Sequence, residues 1–324
     1  MKRRELIILL GVIAAVRPLR ANAQPADKIK VGFLHPGPAA AVPSRIEALL
    51  GGLRASGYPE EQVEVIWRAA DGDPARLAAM AAELVRQRVV VVVAVTMGAV
   101  RALQTADPTI PILAQDLETD PVAAGVVKSY QNPGGNVTGV FFDFPEFREK
   151  WLELLREAIP NLSSIALLWD PATGPAQLKE MEAASAQHHL KAVTLEVRTV
   201  TELNDALSHA KRQAVGAVLV LSSPLWGTRP ELLADLTLRH QLPAITLFPD
   251  FARSGGLMAY GPIILDTYRP LGVLLGKVLR GEKVGDLPVE RPAKFELVVN
   301  LKTARLLGIS IPIPILLRAD EVIE

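Results

Sequence analysis

Asp116, Glu118 and Asp120 fall within five residues at the end of one apolar segment, and Asp143 ends the next. Several carboxylates around one cleft suit an ammonium or another cationic group, because an enclosed charge is costly unless it is paired. Each also has a plainer explanation. Asp120 before Pro121 has the form of a helix N-cap, and Asp116 and Glu118 can simply face water. Thr96, followed by Met97, precedes a helix expected to begin near Gly98. Its hydroxyl and the free N–H groups of that helix end can hold a carboxylate, or the hydroxyl can cap the helix. Ser222 and Ser223 before Pro224 offer a similar polar strand end. Trp226 can stack on an apolar or aromatic ligand or pack under its own loop. Tyr260 ends a further strand. His35 is the histidine that falls at a cleft position; His188, His189, His209 and His240 lie on helices or helix ends.

The elements that would position these residues alternate strand with helix. Ile29–Leu34 is an apolar run stopped by His35-Pro36-Gly37, and Val89–Val95 is almost wholly apolar and β-branched, as in a strand buried on both faces. Strands at Ile110–Ala114 and Val137–Phe142 follow, with a helix expected from Asp120-Pro121 to near Tyr130. The pattern restarts after Glu146. Helices at about Pro175–His189, Thr201–Gln213 and Pro230–His240 alternate with strands at Ile165–Trp169, Ala192–Val197, Ala217–Leu221 and Ala244–Leu247. Such alternation predicts parallel sheets with right-handed crossovers. The predicted fold is therefore α/β, two doubly wound parallel-sheet lobes joined by a multi-strand hinge. Lobe one covers residues 24–142, with part of 262–285 returning to it. Lobe two covers 143–261, with part of 286–324. Ligands of open parallel sheets bind beyond the carboxyl ends of the strands, so two facing lobes share one cleft.

Residues 1–23 read as a signal peptide: Lys2, Arg3 and Arg4, an apolar run from Leu6 to Val16, and the small-x-small site Ala21-Asn22-Ala23. The apolar run is too short to span a bilayer. Removing this segment takes away five basic residues and one acidic residue, so a formally neutral precursor becomes slightly acidic, with no electrostatic footprint for nucleic acid. There is no cysteine, which excludes disulfides, thiolate metal sites, cysteine nucleophiles and lipid attachment through cysteine. A periplasmic location, free of any lipid anchor, is expected. No G-x-S-x-G, G-x-G-x-x-G or H-E-x-x-H pattern occurs. The G-x-x-x-G-K at Gly272–Lys277 is one residue short of a P-loop and lies inside a predicted helix. No catalytic residue, metal or cofactor is expected.

Pro133-Gly134-Gly135-Asn136-Val137-Thr138-Gly139, Gly255-Gly256-Leu257-Met258-Ala259-Tyr260-Gly261, Phe295-Glu296-Leu297-Val298-Val299-Asn300 and the terminal Arg318-Ala319-Asp320-Glu321-Val322-Ile323-Glu324 carry a resemblance. They are similar to the ABC transporter substrate-binding family that includes tryptophan- and tyrosine-binding receptors, over essentially the whole expected mature chain. The resemblance implies a class I periplasmic-binding-protein fold. It also implies a monomer that binds a small polar or amino-acid-like solute between its lobes and delivers it to an ABC permease with a cytoplasmic ATPase. It further implies that Thr96 takes a carboxylate and Asp120 an ammonium. This chain departs from the family pattern at Ser223, where many relatives are acidic, and at Met97, where proline or a small residue is usual. The extra acids Asp116, Glu118 and Asp143 are expected to shift charge recognition to lobe one. A sensory adaptor docking on a chemoreceptor or sensor kinase, and an exported enzyme, are the rival classes.

Overall fold

A computed structural model describes residues 28–73, 75–142 and 144–324, with only the backbone described at 144–146. The expected signal peptide and Asp143 lie outside the described residues.

Strand β1 (Ile29–His35) begins the first sheet. Helix α1 (Val42–Ala55), β2 (Val63–Ala69), α2 (Arg76–Arg86), β3 (Val91–Val95), α3 (Met97–Ala106), β4 (Ile112–Asp116) and β5 (Val137–Phe141) complete it. Its order is β2-β1-β3-β4-β5, parallel throughout. Every residue of β3, β4 and β5 is buried, because helices cover both faces. The helix expected from Asp120 to Tyr130 is absent. Asp120 caps a single turn, and Gly125 at φ 69° ends it, so the stretch runs on as successive turns.

The second sheet follows α4 (Phe144–Ala158). It contains β6 (Ser164–Trp169), α5 (Ala176–Gln187), β7 (Lys191–Glu196), α6 (Leu203–Arg212), β8 (Ala217–Val220), α7 (Pro224–Gly227), α8 (Pro230–Arg239), β9 (Ala244–Thr246), α9 (Pro249–Arg253) and β10 (Met258–Pro262). The chain then forms α10 (Ile264–Leu279), β11 (Phe295–Asn300), α11 (Leu301–Leu306), α12 (Ile313–Arg318) and β12 (Glu321–Ile323). The order is β12-β11-β10-β9-β8-β6-β7. Read from β7 to β10, it repeats the order of the first sheet. The sheet is not wholly parallel: β11 runs antiparallel to β10, because the chain returns from the other lobe and enters from the opposite end.

That return runs through α10, which packs on α1 of the first lobe. Gly52 and Gly272 sit at the crossing. A Cβ on Gly272 would lie 2.0 Å from the Leu49 carbonyl oxygen, so the two backbones touch only because both positions lack side chains. Residues 287–290 then run beside β5, with Val140 bridging Glu290. The chain thus passes between the sheets after Phe142, after Pro262 and between Glu290 and Phe295. Each passage gives one ring to a cluster around Phe147: Phe142 at 4.1 Å between centroids, Tyr260 at 5.5 Å and Phe295 at 4.6 Å. Aromatic packing of this kind ties the hinge segments together. Among the described residues no helix is long and apolar enough to cross a membrane.

Candidate functional site

Strand order reverses between β1 and β3 in one lobe and between β6 and β8 in the other. In doubly wound sheets the crevice at such a reversal is where ligands sit. His35 and Thr96 flank the first crevice, and Asp170 and Ser222 flank the second. The two crevices face each other and are closed together. Ser222 Oγ donates to Glu118 Oε1 at 2.8 Å across the cleft, and a Cβ on Gly37 would approach Thr228 Cγ2 to 2.8 Å.

The lobe-one face is built from polar groups without partners. Asp116 ends β4 and is fully buried. Its Oδ1 accepts the Glu118 N–H at 2.8 Å, while Oδ2 is enclosed and unpartnered. Glu118 keeps part of its side chain exposed, yet its Oε2 is enclosed without a partner. Burial pushes the Glu118 carboxyl well above the usual range, and the neighbouring Asp116 charge pushes it further. Burial likewise raises Asp116, opposed by the hydrogen bonds it accepts. His35 is 3% exposed and neither ring nitrogen has a partner. Burial and then the nearby Arg45 lower its pKa to about 3, so the ring is neutral. Tyr268, buried on α10, is pushed up to about 12 by burial, with Arg45 beside its hydroxyl opposing the shift. Arg45 itself reaches from α1, anchored by Nη1 donating to the Ala41 carbonyl at 2.7 Å, with Nε enclosed and free.

Thr96 stands at φ 72°, ψ 158°, and its side chain does not cap α3. A β-branched residue at positive φ is strained. With no cap, the first N–H groups of α3 stay available at the crevice. Met97 packs into the lobe-one core.

The lobe-two residues are already satisfied. Ser222 exchanges two hydrogen bonds with the Gln177 amide, at 2.9 and 3.0 Å. Ser223 caps α7 and donates to Asp170 Oδ2 at 2.6 Å. Trp226 is 1% exposed, its indole N–H donating to the Leu221 carbonyl at 2.7 Å, so it packs under its own loop and does not face the cleft. Tyr260 belongs to the hinge cluster, where it stacks on Phe147. Asp120 is exposed, and its Oδ1 accepts the N–H groups of Val122 and Ala123.

The structure therefore gathers His35, Thr96, Asp116, Glu118 and Ser222 at the cleft, and leaves Asp120, Ser223, Trp226 and Tyr260 in structural contacts. Sequence reasoning missed Arg45 and Tyr268, which sit inside helices; only the packing of α10 on α1 brings them to the crevice. A cavity of about 590 Å³ lies elsewhere, at the amino end of the first sheet, lined in part by Ile29, Val90 and Gly285. It contains none of the charged cleft residues.

Residues 33–323 match the family model described as ABC transporter substrate binding protein. A tyrosine-binding protein from Clostridioides difficile (strain R20291) is 27% identical over 291 residues, 87% of this chain and 76% of that one. The structure of an ABC domain in complex with L-Trp from Streptococcus pneumonia matches with TM-score 0.84 and 26% identity, covering 92% of this chain and 100% of the other. The ligand-free, open structure of a substrate binding protein with adhesive properties from Clostridium difficile matches in fold, with TM-score 0.66 and 22% identity over 91% of this chain and 99% of that one.

Proposed function

The chain belongs to the ABC transporter substrate-binding protein family, and on that premise we propose that its solute is an amino acid, held as a zwitterion between the lobes. The observation that carries this reading is the pairing of unpartnered groups on the lobe-one face. Asp116 Oδ2 and Glu118 Oε2 suit an ammonium group. Arg45 and the uncapped start of α3 beside Thr96 suit a carboxylate. The relatives named for tyrosine and L-Trp bind solutes with this pair of charges. Asp120, to which the resemblance assigns the ammonium, is replaced in this proposal by Asp116 and Glu118, because they are enclosed and it is not.

Solute touching both lobes favours the closed arrangement over the open one, and the closed form is the species a permease would accept. The protein acts as a monomer without chemical turnover. It is exported by the segment ending at Ala23 and delivers solute in the periplasm to a permease with a cytoplasmic ATPase. A thermal-shift screen against amino acids, amines, aromatic acids and sugars tests the reading. A solute present at a hundredfold over its Kd stabilises a protein by about 2.7 kcal/mol. Amino acids should give that shift and be recovered unchanged. A shift from sugars alone would overturn the proposal.

A further inference from the structure

We propose that His35 selects the solute by the tip of its side chain: it hydrogen-bonds a hydroxyl or N–H at the far end of a long, uncharged ring, so that an amino acid such as tyrosine is bound in preference to phenylalanine. His35 thereby adds a third point of recognition to the zwitterion reading above, and this role rests on that reading.

Three strand ends of lobe one lie side by side, in the order β1, β3, β4. Leu34 stands opposite Ala94 and Val95 opposite Gln115, so the three ends are level. Asp116 ends β4 and takes the ammonium in the reading above, while Thr96 and the uncapped start of α3 follow β3 and take the carboxylate. His35 ends β1 and is left for the side chain. Adjacent strands are spaced about 4.8 Å apart, which puts the ends of β1 and β4 about 10 Å apart. A short side chain on a backbone held at β3 and β4 does not cover that distance. A phenol or an indole does.

The chemistry of His35 suits such a tip. The residue is 3% exposed, and both ring nitrogens are buried without a partner in the protein. Burial keeps the ring neutral. A neutral imidazole carries one N–H and one bare nitrogen, so it can donate and accept, and a phenol hydroxyl suits it in either tautomer. An unpaired buried polar group is costly, so a solute that pairs it gains over one that presents only C–H. The turn after β1 leaves the ring uncovered. A Cβ on Gly37 would lie 3.0 Å from His35 Nε2 and 2.8 Å from Thr228 Cγ2, which places that nitrogen where the two lobes meet. Charge sets the last condition. The positive Arg45 acts on the ring more strongly than the negative Asp71, so a cationic tip, as on lysine or arginine, is repelled and a neutral one is not.

Calorimetric titration of the purified protein with L-tyrosine and L-phenylalanine, which differ by one hydroxyl, tests this. Wild type should prefer tyrosine by about tenfold or more, as for a site that leaves a buried polar group unpaired with the lesser ligand. His35→Leu should reduce that preference to about threefold or less, mainly by weakening tyrosine, and His35→Gln, which keeps a donor and an acceptor, should retain part of it. A second readout needs no variant: the imidazole nitrogens of His35, followed by nitrogen NMR, should shift when tyrosine binds and not when phenylalanine binds. Equal affinities in wild type overturn the role. So does a preference that survives His35→Leu, which would leave His35 paired with ordered water only, and so does an equal loss for both solutes, which would place His35 at the backbone end. Binding of other amino acids but of neither of these two overturns the role of His35 and leaves the zwitterion reading standing. Binding of no amino acid overturns both.

Discussion

The two faces of the cleft are built on the same strand order and finished in opposite ways. At matching positions beside the strand reversal, His35 in lobe one has no hydrogen-bond partner, whereas Asp170 in lobe two is bonded to Ser223 and Ala172. Thr96 is strained and uncapping, whereas Ser223 caps its helix. Lobe one keeps buried polar groups without protein partners, at a cost to stability that a bound solute or ordered water relieves. Lobe two is the more finished surface: Thr246 Oγ1 at the end of β9 is buried without a partner, while Ser222 reaches across to Glu118. Solute should therefore dock on lobe one, and lobe two should close over it.

The sharpest way to break this contrast is Trp226→Ala. If Trp226 is core, the substitution should destabilise the protein by about 3–5 kcal/mol in denaturant melts, with solute affinity per folded molecule retained. Loss of affinity without loss of stability would return Trp226 to the site.

Asp116→Asn should do the reverse. Affinity for an amino acid should fall by roughly 10- to 100-fold, as for a lost charge-assisted hydrogen bond of about 1.5–3 kcal/mol. The solute-free protein should be no less stable, because the folded state holds the Asp116 carboxyl above its ordinary value. A raised acid contributes stability that is present at low pH and lost as pH rises through its folded value, so removing it helps most at neutral pH and above.

His35 gives a pH-confined effect with the opposite sign. Its folded value of about 3 lies below the ordinary 6.5, so the unfolded chain takes up the proton first on acidification. Stability should fall as pH drops from 6.5 toward 3, by up to about 1.4 kcal/mol per pH unit, and His35→Gln should flatten that part of the curve in melts.

Asp120→Ala should have the least effect, about 1 kcal/mol or less of stability from a lost cap, with calorimetric affinity unchanged. A large loss of affinity would restore Asp120 as the ammonium ligand.

Much of the fold was legible because buried parallel strands announce themselves. Val91–Val95 is apolar throughout and falls inside the strand expected at Val89–Val95. The stretch after Asp120 misled, because an Asp-Pro start has the same form whether one turn or many follow. The antiparallel β11 could not be read from its own residues, since direction depends on where the chain re-enters. At the site, strand-end reasoning located Asp116, Glu118 and Ser222. It could not tell Ser222, which reaches across, from Ser223, which caps: both are serines before a proline, and only the neighbouring Gln177 and Asp170 separate them. Arg45 carries no local signal at all, being one arginine on an amphipathic helix.

The central claim is that an amino acid is held by both its charges, the ammonium on Asp116 and Glu118. Calorimetric titration of L-tryptophan and L-tyrosine beside their des-amino acids and their decarboxylated amines tests it most directly. The account predicts binding of at least one intact amino acid, with both of its single-charge analogues weaker by tenfold or more. A des-amino acid that binds as tightly as its parent amino acid would contradict it.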